Sequence, residues 1–74
     1  MGRLRVMSGK EVCAILERHD FAEVRRRGSH VVMQRTNVDG STTTVPVPDH
    51  KEVKIGTLRS IIRQSGIARS EFES

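Results

Sequence analysis

Two turn signals restrict the folds open to this chain: Gly28-Ser29, and further on Asn37-Val38-Asp39-Gly40-Ser41. Glycine accepts positive φ at no steric cost, and Asp-Gly between apolar runs is a strong hairpin signal. Each turn is flanked by residues with strand character. Phe21 to Arg27 predicts a first strand, with Val24 inward and charges around it. His30 to Thr36 alternates, which puts Val31 and Met33 on one face and His30, Val32 and Gln34 on the other. Thr42 to Val47 is β-branched almost throughout. Pro46 and Pro48 are expected to end that strand and mark a sheet edge, because proline cannot donate to a ladder. Three strands joined by two short turns make an antiparallel meander.

Helical signals bracket the meander. Ser8-Gly9-Lys10-Glu11 is a capping box, and Val12, Ile15 and Leu16 follow at helical spacing, predicting a helix over residues 9–18. Cys13 reads as a small core residue beside that stripe, not as a nucleophile. Asp20 marks the helix exit, with Phe21 packing down after it. A second helix is predicted from Gly56 to Gln64 on the stripe Leu58, Ile61 and Ile62, closed by Ser65-Gly66 with Ile67 as the hydrophobic contact of a glycine cap. Ser70-Glu71-Phe72-Glu73 predicts the start of another capped turn. The order is α-β-β-β-α: one α+β domain over residues 1–74, a three-stranded antiparallel sheet with both helices on one face. A chain of 74 residues has room for one small core.

Charge points to the partner. Of the residues behind the net charge of +4, positions 1–36 hold eight Lys/Arg against four Asp/Glu, and positions 37–74 hold five of each. The excess surrounds Arg25-Arg26-Arg27, which favours a polyanion, nucleic acid first. Phe21 and Phe72 are the only aromatic residues, so a reader that stacks single-stranded bases on exposed rings is excluded and phosphate contacts must carry RNA binding. The lone cysteine, the absence of an apolar leader and the absence of any membrane-length apolar run lead to the expectation of a cytoplasmic protein with no membrane association. No Cys/His group has metal-ligand spacing and no glycine-rich phosphate loop precedes a helix, so neither a metal nor a cofactor is expected.

The stretch Arg25-Arg26-Arg27-Gly28-Ser29-His30 carries the chemistry. A turn delivers an imidazole beside guanidiniums and free backbone amides. Such an arrangement suits phosphate chemistry. If the polyanion is RNA, which brings its own nucleophile in the 2′-OH, what is left for the protein to supply is a base, phosphate stabilisation and geometry. His30 is the candidate general base, since imidazole titrates near the working pH. Alternation puts Arg25 and Arg27 on one face and Arg26 on the other, so Arg25 and Arg27, with the amides of Gly28 and Ser29, are the candidate phosphate contacts. His50 reads as a structural hydrogen-bonding residue or a second acid, and His19 as complementing the dipole at the first helix's end.

Four segments, Ser8-Gly9-Lys10-Glu11-Val12, Arg27-Gly28-Ser29-His30, Val45-Pro46-Val47-Pro48-Asp49-His50 and Gly56-Thr57-Leu58-Arg59-Ser60-Ile61-Ile62-Arg63-Gln64, together resemble the HicA toxin family in order and spacing over about residues 7–72. The resemblance implies a double-stranded-RNA-binding-like fold, cleavage of mRNA with the catalytic histidine of the Gly-Ser-His motif at His30, an RNA phosphate contact from Lys10 at the start of the first helix, and neutralisation by a HicB-like antitoxin. It departs from the family pattern at Asp20, where a glycine is usual, and at Ser65, where alanine is frequent. A free toxin is expected to be a monomer. Two other readings remain open from the residues: a non-catalytic RNA-binding module of the same fold, and a small protein whose basic face docks an acidic surface.

Overall fold

Ser8 opens the first helix as its position predicts. In the computed structural model, which describes residues 2–74, the Ser8 hydroxyl accepts from the Glu11 amide at 3.1 Å and the Glu11 carboxylate accepts from the Ser8 amide at 2.8 Å. Such a cap contributes about 1 kcal/mol. It starts α1 at Gly9–Arg18, whose buried side holds Val12, Ile15 and Leu16. The helix leaves through Asp20 in the left-handed region, φ 72°, which explains why glycine suits this position and why aspartate, tolerant of that region, can replace it. Phe21 then turns into the core at 3% exposure.

Three strands follow, β1 at Ala22–Arg27, β2 at His30–Thr36 and β3 at Thr42–Pro48, in one antiparallel sheet of order β1-β2-β3. The turns are the expected ones: Gly28 takes φ 58° and Gly40 φ 87°, and the Asp39 carboxylate accepts from both the amide and the hydroxyl of Ser41. Helix α2, Ile55–Ser65, ends on Gly66 at φ 72°, with the Gly66 amide donating to the Ile62 carbonyl. Ser65 is buried to 1% exposure. Its hydroxyl donates to Ile62 and accepts from the Ile67 amide, so a polar residue is satisfied where alanine would have sufficed. The last element, α3, is a 3₁₀ turn at Arg69–Phe72 that brings Phe72 to full burial. It has no side-chain cap, contrary to the capped turn expected from Ser70.

Both helices pack on one face of the sheet. Val31, Met33, Val45 and Val47 meet α1 and α2 in a core that also takes Met7, Val53 and Phe72. Arg35, half-buried, closes the far end. Its guanidinium lies 4.6 Å from the Phe21 ring centroid and donates to the carbonyls of His19 and Ser65, at the C-terminal ends of both helices. A cation there complements two helix dipoles at once.

Two strand expectations need correction. Val24 does not point inward. The ladder pairs Glu23 with Met33 and then Arg25 with Val32, so Val24 is the extra residue of a β-bulge and is half exposed. Pro46 does not end β3, which runs through it to Pro48. The edge position is what allows this, since an edge strand has donors that the ladder does not use.

Candidate nucleic-acid face and the strand-exit pocket

The face of the sheet opposite the helices carries no further layer. Residues paired directly across an antiparallel ladder share a face, and the register therefore assembles rows. Arg27, His30 and Pro48 form one row, Arg25, Val32 and Pro46 the next, Ala22, Gln34 and Thr44 the third. Arg25, Arg27 and His30 are all exposed. Val32, on the same outward face, is nevertheless only 7% exposed and lies outside the helix-side core. Its ladder partners are Arg25 on one side and Pro46 on the other, and it gives the row an apolar floor.

The bulge at Val24 sets this arrangement. Phe21 is buried, Ala22 pairs on the outer face and Glu23 on the inner one. Strict alternation from there would turn Arg25 and Arg27 inward. The extra residue shifts the phase by one, and Arg25 and Arg27 join His30. Arg26 is left paired with Val31 on the helix side, where its Nη1 donates to the Asp49 carboxylate at 2.7 Å. No hydrogen bond or ion pair engages the side chains of Arg25, Arg27 or His30 among the described residues. The amides of Gly28 and Ser29 in the turn are likewise without a backbone acceptor, while the Ser29 carbonyl accepts from the Asp49 amide at 2.6 Å. The face can present two cations, an imidazole and free amides to a phosphate.

The remaining candidates lie on the other side of the sheet's end. Lys10 and His50 line a cavity of about 300 Å³ with Ser8, Asp49 and Lys51. Its walls are held by the chain itself. The Gly9 amide donates to the His50 carbonyl at 2.9 Å, and a Cβ on Gly9 would collide with the Pro48 carbonyl. The Arg26 guanidinium holds the Asp49 carboxyl below the ordinary carboxylate range. Lys51 was not singled out by sequence. Only the folding of the loop after β3 onto the start of α1 reveals it.

His19 is the C-cap of α1, and its Nε2 sits 3.3 Å from a Glu71 carboxylate oxygen, tying α1 to the terminal turn. Cys13 is a poor nucleophile: burial, with Glu17, Glu23 and Asp49 nearby, pushes its thiol up to about 11. Among the described residues no group of His, Cys, Asp and Glu is placed to hold a metal ion, and no helix is long and apolar enough to cross a membrane.

Compared with known proteins, residues 9–67 match the family model described as the HicA toxin of bacterial toxin-antitoxin. The match covers all three strands and both long helices, with the outward face and every pocket residue except Ser8 included. No curated protein matches the chain.

Proposed function

Because the chain belongs to the HicA toxin family of bacterial toxin–antitoxin systems, we propose that it is a metal-independent endoribonuclease that cleaves mRNA and is neutralised by a HicB-like antitoxin. The observation that carries this reading is the register. Arg25, Arg27 and His30 share one exposed face that neither helix covers. His30 accepts the proton of an RNA 2′-OH, whose oxygen then bonds to the adjacent phosphorus. The bond from phosphorus to the 5′-oxygen breaks, and that oxygen takes a proton from water. The products are a 2′,3′-cyclic phosphate and a 5′-OH end. Arg25, Arg27 and the turn amides stabilise the charge that gathers on the phosphoryl oxygens. An antitoxin placing acidic side chains over the same face would exclude RNA directly. The protein would act in the cytoplasm, as a monomer when free.

The test is incubation of purified protein with labelled RNA in excess EDTA. Cleavage should persist, leave cyclic phosphate ends and fail on substrates that are 2′-deoxy at the scissile position. Cutting of such substrates would exclude the internal nucleophile.

One observation favours the second reading, a non-catalytic RNA-binding module. No neighbouring side chain orients the His30 ring among the described residues, whereas an activating base is commonly held by a third group. A folded protein that binds RNA without cutting it would decide for that reading.

A further inference from the structure

The pocket at the strand exit holds more positive charge than its one carboxylate offsets, although, behind the hydrogen bond from Arg26, Lys10 and His50 both lie near enough to Asp49 to help hold its carboxyl down. Its only lining carboxylate, Asp49, is taken by Arg26 at 2.7 Å. Glu11, one turn into α1, is taken by the Ser8 amide. Lys10 and Lys51 face the same cavity with no ion pair among the described residues, and His50 adds an imidazole. Two ammonium groups and a ring N–H around a cavity of about 300 Å³ suit a tetrahedral oxyanion.

The side chains carry most of the binding, because two of the first amides of α1 are already engaged. The Gly9 amide is given to His50 and the Glu11 amide to Ser8. The lining also says what the ligand is not. It has no phenyl, phenol or indole ring and no large apolar side chain, and both phenylalanines are buried, so apart from the His50 imidazole there is no surface for a base. A phosphate held without its base is a backbone contact, tolerant of sequence.

The cavity adjoins the face that carries His30. His30 pairs with Pro48, and the Asp49 amide bonds the Ser29 carbonyl. One inter-strand step plus two residues of chain separates His30 from His50, on the order of 10 Å. A single RNA strand crossing the end of the sheet can reach both.

We propose that the cavity lined by Lys10, His50 and Lys51 is a second phosphate subsite, which takes a backbone phosphodiester of the RNA strand whose neighbouring phosphate lies at His30. The RNA source of that phosphate rests on the ribonuclease reading; the phosphate chemistry does not.

Two measurements separate these. In the first, inorganic phosphate is titrated into the wild-type protein and amide resonances are followed by NMR. Saturable shifts are expected at Lys10, His50 and Lys51, and their loss in a Lys10→Ala/Lys51→Ala double variant. In the second, both proteins bind an uncleavable 2′-O-methyl RNA 12-mer across a salt series. The double variant should bind about tenfold more weakly, with a salt slope flatter by about 0.7 per lost contact. Both lysines are exposed, so the double variant should retain the wild-type amide spectrum elsewhere. No saturable phosphate response, or unchanged RNA affinity and slope in the double variant, would overturn the subsite. A phosphate response in a wild-type protein that does not bind RNA would overturn the RNA source and leave a site for phosphate of another origin.

Discussion

The outward face and the strand-exit pocket lie at the same end of one sheet, and both are rich in cations, yet they are built in opposite ways. On the face, Arg25, Arg27 and His30 are aligned by strand register alone, with no tether from their side chains to anything else. In the pocket, the backbone frame is tied, Gly9 to His50, Asp49 to Ser29 and Arg26 to Asp49, while the exposed side chains of Lys10 and Lys51 stand free of ion pairs among the described residues. Charge on a regular strand can be changed without disturbing the core. Charge at a tied junction cannot be changed so freely, because its neighbours hold α1 against β3. The difference predicts that substitutions on the face act on chemistry, and that those at the tied positions of the pocket, Gly9 and Asp49, act on folding as well.

The largest effect should come from the two histidines. His30→Ala is expected to lower the rate of RNA cleavage by about 10²–10⁴-fold, with unchanged thermal stability, since an exposed side chain leaves no cavity. His50→Ala should cost less than about tenfold in the same single-turnover assay. If the order were reversed, the catalytic centre would lie in the pocket and the comparison would invert.

Next comes Gly9→Ala. The added methyl meets the Pro48 carbonyl and the Asp49 backbone, so the start of α1 must move away from β3. Overpacking of this kind costs about 1–3 kcal/mol, to be read as a lower denaturation midpoint. A Gly9→Ala protein as stable as wild type would show that the junction is looser than its contacts indicate.

A smaller change separates the arginines. Arg25→Ala and Arg27→Ala should each weaken RNA binding and flatten its salt dependence by about one unit of slope. Arg26→Ala should do less to the slope, because Arg26 lies on the helix side and is engaged by Asp49. An Arg26 effect exceeding both of the others would contradict the phase set by the bulge.

The smallest effect is a titration. The Asp49 carboxyl, held down chiefly by its hydrogen bond from Arg26, favours the folded state above the ordinary carboxylate pKa. That contribution is lost as pH falls through the lower folded value. Arg26→Ala should move the Asp49 titration upward, measured by carboxyl NMR, and reduce the acid sensitivity of the junction.

What the sequence made legible was local. The capping box, both turns, the glycine cap after Ser65 and the alternation of β2 each involve residues within a few positions of one another, and each is present in the structure. The placement of Arg25 and Arg27 was also legible, but for a wrong reason. An inward Val24 gives the same phase as a bulged Val24 after an inward Phe21, and only pairing with β2 distinguishes the two. The pocket was not legible. It joins residues 8–10 to residues 49–51, and Lys51 has no local pattern that marks it. Arg35 was missed for a similar reason. A charged residue late in a strand reads as solvated, whereas here it lies over Phe21 and bonds two helix ends.

Gly9 also has a genetic consequence. Every missense change of its codon adds at least a Cβ, and any Cβ there strikes the Pro48 carbonyl. If the protein arrests growth when unopposed, cells that survive its expression should carry changes at Gly9, bulkier ones above all, as well as at His30. The two classes would differ in the antitoxin's response: His30 survivors would still hold folded protein able to engage it, while Gly9 survivors would have less folded protein to titrate. A survivor screen sorted by retained antitoxin binding would thus divide the map of inactivating mutations into a small exposed patch and a scattered set of buried contacts.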